Sequence, residues 1–266
     1  MVLGRSVFVI FALMAILFLI VPIAVLLGYG LQTHSWQDLL ASAVSDAMAL
    51  SLMTTLISLA LVLLFGTPLA YVLARGRFPG RALINVLVEL PIVLPPAVAG
   101  LALLLSFGRL GAFAPVMNSL GLSLAFSTAA VVMAQAFVSA SFYIRAAIVG
   151  FQGIPQEVEG AARVDGAGWW RVFRYITVPL AARSLGAGMA LSWARALGEF
   201  GATILFAGSL RGRTQTMPLL IYNIHERDLD AAVMTGVLLV GLALCALLMA
   251  RWLQRNPETD SAPSLF

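Results

Sequence analysis

The sequence predicts an all-α, polytopic membrane protein with six transmembrane helices. Of its 266 residues, 61% are hydrophobic and only 11% are charged, whereas a soluble domain carries about 25% charged residues. Mean hydropathy is +0.98. Six apolar stretches are each long enough to cross about 30 Å of hydrocarbon, which takes about 20 helical residues. A soluble globular enzyme is excluded.

The first stretch, residues 7–27, follows Arg5 and outruns a secretory signal core, with no Ala-x-Ala site after it. It reads as a retained helix. The next four, 47–74, 82–107, 122–149 and 178–207, exceed a perpendicular crossing and are expected to tilt, kink or extend past the bilayer. The sixth covers 231–253. Pro91, Pro95 and Pro96 punctuate the third stretch beside Glu89. Each proline removes a backbone donor, so this span should be broken or bent near its middle, where it meets protein or water. Glu89 is expected as a buried polar contact.

Orientation follows from the arginines, because cytoplasmic segments retain positive charge. With the N-terminus inside, eleven arginines lie in inner segments: Arg5, Arg75, Arg77, Arg81, Arg145, Arg163, Arg171, Arg174, Arg183, Arg251 and Arg255. Four lie in outer loops, Arg109, Arg211, Arg213 and Arg227, and Arg195 sits within a span. Both termini are therefore expected in the cytoplasm, with residues 150–177 as a cytoplasmic loop.

All sixteen basic residues are arginine. Without lysine there is no Walker A site and no pyridoxal Schiff base, so any ATP is spent by a partner. The single Cys245 permits no intrachain disulfide or multi-cysteine metal site and reads as a small buried hydrophobe. The arginines are dispersed between apolar runs, which argues against a nucleic-acid face.

In the cytoplasmic loop, Pro155 precedes Glu157 and Glu159, a pattern suited to the positive end of a helix dipole. A short helix should begin there and end at Gly166 and Gly168. Ala161 and Ala162 present little side chain and let another surface approach the backbone, while Trp169, Trp170 and Phe173 suit a membrane–water boundary. Together these features describe a docking element.

This loop resembles that of the membrane subunits of type I ABC importers, whose pattern is E-A-A-x3-G-x9-I-x-L-P. Ala161, Ala162, Gly166, Ile176 and Pro179 fall on it in register. Gly160 occupies the glutamate slot with Glu159 one residue early, Asp165 precedes the glycine, and Val178 replaces the leucine. The resemblance implies a type I permease fold and a coupling helix seated in a cleft of a separate ATPase subunit. ATP binding would draw the coupling helices together and open the path outward, and hydrolysis would reset it. The organisation implied is an N-terminal segment with the first helix (1–42), a transport domain (43–253) containing the coupling loop (150–177), and a cytoplasmic tail (254–266).

The fifth span holds two ionisable residues, Arg195 and Glu199, four apart on one helix face. Such groups are costly in lipid and face protein or water. They read equally as a scaffold pair or as a pore element, together with Gly198, Phe200 and Gly201. The run A-L-G-E-F-G-A, followed by Phe206, Ala207, Gly208 and by Thr214 to Tyr222, looks like the molybdate permeases, with sulfate and tungstate permeases as close relatives. That resemblance implies a homodimer in the bacterial inner membrane with the path on its twofold axis. It also implies an extracytoplasmic oxyanion-binding protein and no cofactor. Gly186, Gly188, Gly198, Gly201 and Ala202 would permit close helix approach.

Arg109, Arg211 and Arg213 are candidates for steering the anion or meeting acidic patches of the binding protein, or are solvated loop residues. His225, Glu226, Asp228 and Asp230 read as a solvated loop and a dipole-favoured helix start rather than a metal site. An ion-coupled secondary transporter would show paired broken helices in two repeated halves, and only one proline-broken span is visible. A membrane enzyme would need a polar cluster that the distant His34 and His225 do not supply.

Overall fold

The computed structural model describes residues 2–32 and 42–254, and every element among them is helical. In chain order these are α1 (Val2–Gln32), α2 (Ser42–Arg75), α3 (Arg81–Val93), α4 (Pro96–Phe107), α5 (Ala114–Ser119), α6 (Thr128–Gln152), α7 (Gln156–Val164) and α8 (Trp169–Val172). One π-helical turn (Phe173–Thr177) leads into α9 (Val178–Leu197), followed by α10 (Gly201–Phe206), α11 (Met217–Ile224) and α12 (Leu229–Gln254). The expected tail, with Arg255, and His34 lie outside the described residues.

Four helices, α1, α2, α6 and α12, are long and apolar enough to cross a membrane, and α3 with α4 forms a fifth candidate bent by 115°. The expectation of six such spans is thus met only in part. The shortfall is α9, whose alanines, glycines and two arginines make it less apolar than a lipid-facing helix. It is instead enclosed by neighbours, with Ala181, Leu185, Ala187, Gly188, Ala190 and Ser192 all buried.

The expected break in the third span falls at Leu94 and Pro95, both in extended conformation. Each precedes a proline, a position that disfavours helical backbone. Pro91 stays inside α3. The fifth span, expected over 178–207 to tilt, kink or extend past the bilayer, divides at residues 198–200. Gly198 ends α9, Phe200 leaves helical geometry (φ −126°), and the chain restarts as α10.

The core of the bundle is α2, α6 and α9, with α12 against α9, α3 against α6, and α4 crossing α10. Hydrophobicity drives helices into lipid but does not drive them together there, so packing and interhelical hydrogen bonds must do so. Ser58 donates to the Val132 carbonyl and Ser141 to that of Val88 (2.9 and 2.6 Å). Ser192 donates to the Ser139 carbonyl and the Trp193 indole to Thr55 (3.0 and 3.1 Å). Small residues bring the axes close: a Cβ on Gly188 would lie 2.7 Å from that of Ala146, and one on Gly150 2.6 Å from that of Ser184.

α1 packs against α12, and its residues 7–25 are exposed. Cys245, expected to be buried, is exposed on α12, on a face turned away from the bundle. Its apolar surroundings in sequence are those of an outward helix face.

Candidate functional site

α7 runs across one end of the bundle. Pro155, with φ −58° and ψ 134°, holds the extended N-cap position and Glu157 and Glu159 occupy the first turn, where carboxylates complement the helix dipole. Asp165 caps the C-terminus, and Gly166 turns the chain with φ +86°, a conformation that favours glycine. The expected helix and its glycine stop are both present.

The two faces of α7 differ sharply. Outward, Glu157, Val158, Gly160, Ala161 and Val164 are exposed, Val164 at 88%. A Cβ on Gly160 would meet nothing within 4 Å. Inward, Glu159 is only 5% exposed. One of its carboxylate oxygens accepts hydrogen bonds from Arg75 at the end of α2 (2.9 Å) and from Thr177 in the π turn before α9 (2.9 Å). Arg163, one turn on, lies 4.0 Å from the other oxygen. Arg75 also donates to the Ile154 carbonyl (3.0 Å), just before α7. A single buried carboxylate therefore joins α7 to α2 and to the entry of α9.

Aromatic side chains complete that joint. Tyr71 of α2 packs edge-on against Phe151, Trp169 and Phe173, with ring centroids 5.5, 6.0 and 5.1 Å away. Trp169 and Phe173 stack at 5.6 Å. Ile176 lies in the π turn and Pro179 in the first turn of α9, so they shape the exit from the joint rather than the outward face of α7. Ala162 is half-buried and Asp165 is exposed.

The second group of candidates, Arg195, Gly198, Glu199, Phe200 and Gly201, gathers at the break between α9 and α10. Glu199 is 1% exposed. One carboxylate oxygen accepts the Ala202 N–H (2.7 Å), capping α10. The other lies 2.8 Å from the Arg195 guanidinium, an ion pair too oblique for a hydrogen bond. Phe200 packs against Tyr222 of α11 at 5.2 Å. A Cβ on Gly201 would sit 2.8 Å from that of Pro96, and one on Gly100 2.7 Å from the Ala202 carbonyl oxygen. The two broken spans thus interlock at their breaks.

Glu89 pairs with Arg145 across α3 and α6; both side chains are about half exposed rather than buried as expected for Glu89. Arg145 also borders an open cleft between α3, α6 and α9. Arg211 lies 3.5 Å from Asp46, and the Arg213 carbonyl accepts from Thr128 (2.9 Å). Asp228 accepts the Ala231 N–H (2.9 Å) at the start of α12, as a helix cap does. His225 Nδ1 lies 2.6 Å from the Tyr222 carbonyl oxygen.

Sequence reasoning missed Arg75 and Thr177 as partners of Glu159. They lie 84 and 18 residues from it, and no local pattern announces such contacts. The second break had a signal in Gly198 and Gly201 flanking Glu199, but it lacked the proline that marked the first.

The described residues thus form an all-helical bundle that presents a short helix, α7, on a buried joint. The chain belongs to the family described as the binding-protein-dependent transport system inner membrane component, which matches residues 66–258, and it is accordingly a multi-pass inner-membrane permease component without catalytic chemistry of its own. It is 42% identical over 230 residues to the molybdenum transport system permease protein ModB of Mycobacterium tuberculosis, covering 80% of this chain and 81% of the relative. It is 38% identical over 212 residues to the sulfate transport system permease protein CysW of Synechococcus elongatus, covering 77% and 74%. Its fold is similar to that of a chain in a bacterial alginate ABC transporter, with a TM-score of 0.71 at 17% identity over 95% of this chain and 94% of that one.

Proposed function

We propose that this chain is the membrane-spanning subunit of an ATP-binding-cassette importer and that it carries molybdate into the cytoplasm as a homodimer. The outward face of α7, with Gly160, Ala161 and Val164 bare above the buried Glu159 joint, is the observation that carries this reading. Small side chains let a second surface reach the backbone, and the joint makes displacement of α7 a displacement of α2 and α9. The molybdenum permease of M. tuberculosis supports molybdate as cargo, and the sulfate permease of S. elongatus keeps sulfate as the closest competitor.

In this reading the α7 end faces the cytoplasm, which the excess of arginines in the segments on that side supports. The chain crosses six times, the third crossing being α3 with α4 and the fifth α9 with α10, and both termini are inside. Residues 43–253 form the transport domain and α1 is an addition to it. An ATPase subunit grips α7, and an extracytoplasmic binding protein delivers the anion at the opposite end. Motion entering through Glu159 travels along α9 to the break at residues 198–200, where α10 and α4 interlock. The chain contributes rigid-body gating between packed arrangements rather than bond chemistry.

Co-purification with an ATP-hydrolysing subunit in mild detergent, followed by radiolabelled molybdate uptake into proteoliposomes with and without excess sulfate, tests this. Stable association and ATP-dependent uptake that sulfate competes only weakly are expected. Uptake without any ATPase would overturn the reading in favour of an ion-coupled transporter, and sulfate outcompeting molybdate would reassign the cargo.

A further inference from the structure

A cleft of about 510 Å³ opens between α3, α6 and α9, lined by Ile92, Phe142, Arg145, Val149, Arg183 and Ser184 among others. Its seam is made by the small-residue contacts of α6 with α9. The register of those contacts, Gly150 against Ser184 and Gly188 against Ala146, places Arg145 and Arg183 about 9 Å apart along the bundle at 1.5 Å per residue. Two long guanidinium side chains with that offset can converge on one small ligand. Arg145 lies seven residues, or about 10 Å, in from the end of α6, a depth at which a guanidinium must face water or protein rather than hydrocarbon. On the third wall, Glu89 reaches across from α3 to Arg145.

We propose that this cleft is a binding site for a tetrahedral oxyanion, held between Arg145 and Arg183, with Glu89 as the resident carboxylate that the anion displaces from Arg145. Guanidinium groups match such oxyanions through paired N–H donors, and the Ser184 hydroxyl adds a further donor on the same wall. With Glu89 swung aside, the Arg145 guanidinium joins that of Arg183 in offering donors to the anion. The cleft is large enough for the anion together with first-shell waters of about 30 Å³ each. Displacement also removes one of the contacts between α3 and α6, about one turn before the break at Leu94, while Ser141 still donates to the Val88 carbonyl. The oxyanion has two sources: transported anion and the phosphate of an anionic lipid, since basic pockets between membrane helices also take lipid headgroups. The inference rests on the transport reading only for the choice between them.

Equilibrium binding of radiolabelled molybdate to the assembled permease–ATPase complex, without binding protein and in phosphatidylcholine nanodiscs, tests the site. Native mass spectrometry of the same complex from phosphatidylglycerol-containing discs supplies the lipid arm. Arg145→Gln with Arg183→Gln is expected to weaken molybdate binding by about tenfold or more, which is about 1.4 kcal/mol, or to strip retained phosphatidylglycerol. Glu89→Gln is expected to tighten binding several-fold, an effect that a merely structural pair would not produce. Arg145→Lys, which keeps the charge and loses the paired donors, should fall between. Loss in the molybdate arm assigns the site to cargo, and loss in the lipid arm alone assigns it to lipid phosphate. Wild-type levels of both ligands on the double variant, or binding of neither by wild type, overturns the site. Binding-protein-dependent uptake by the wild-type complex, measured alongside, shows separately whether the transport reading stands.

Discussion

Two buried carboxylates organise this molecule, and they do different work with nearly the same equipment. Glu159 and Glu199 are each almost sealed from solvent, each faces an arginine at 2.9 or 2.8 Å, and each accepts one further hydrogen bond. The partners of Glu159 come from α2 and from the turn before α9, so it joins elements far apart in sequence. Those of Glu199 lie within the stretch from Arg195 to Ala202, so it shapes one local break. A buried ion pair is weak evidence for stability in itself. Its connectivity decides whether it transmits motion or fixes a bend.

The largest expected effect follows from removing the connecting carboxylate. Glu159→Ala leaves Arg75 buried without its partner, a loss of about 3–5 kcal/mol, visible as a lower melting temperature of the detergent-solubilised protein. Adding Arg75→Ala should restore part of it, with a coupling of about 1–3 kcal/mol between the two sites. A melt unchanged by Glu159→Ala would remove the distinction between the two carboxylates.

At the break, Gly100→Ala and Gly201→Ala are expected to destabilise by about 1–3 kcal/mol each. Gly100→Ala should be the worse, because its Cβ would meet the Ala202 backbone at 2.7 Å, which cannot rotate away as a side chain does. Glu199→Ala leaves the Ala202 N–H without its acceptor, at about 1–3 kcal/mol. Faster hydrogen exchange confined to residues 198–206 is expected, with exchange in α7 unchanged. Spread of the effect into α7 would show that the break transmits as well.

The smallest expected effect on the fold is that of Gly160→Ala. With open space around the new Cβ, replacing a helical glycine should stabilise the chain by about 0.5–1 kcal/mol. The bulkier Gly160→Leu should leave the melt intact and abolish ATPase co-purification, which sharpens the contrast between the outward and inward faces of α7.

Much of this architecture was legible in the residues. The four long apolar spans announce themselves by length, the bend in the third by Pro95 and Pro96, and α7 by Pro155, its acidic first turn and Gly166. These are local signals, each carried by neighbouring residues. The fifth stretch was expected to tilt, kink or extend, but the position of its break at residues 198–200 was missed because no proline marks it and because what holds it, the Glu199 cap and the contact of Gly201 with Pro96, appears only once the chain is folded. The same holds for Arg75 and Thr177, and for the cleft between α3, α6 and α9. Cys245 went wrong for a related reason, since an apolar run does not say which of its faces turns inward.

In the proposed mechanism Glu159 passes motion from α7 into the bundle. ATP hydrolysis and molybdate uptake, measured side by side in proteoliposomes carrying the Glu159→Gln permease with its ATPase and binding protein, address it most directly. Hydrolysis close to wild type with uptake reduced about tenfold or more per ATP is the predicted result, tenfold corresponding to about 1.4 kcal/mol. An unchanged ratio of uptake to hydrolysis, in a complex that assembles normally, would contradict it.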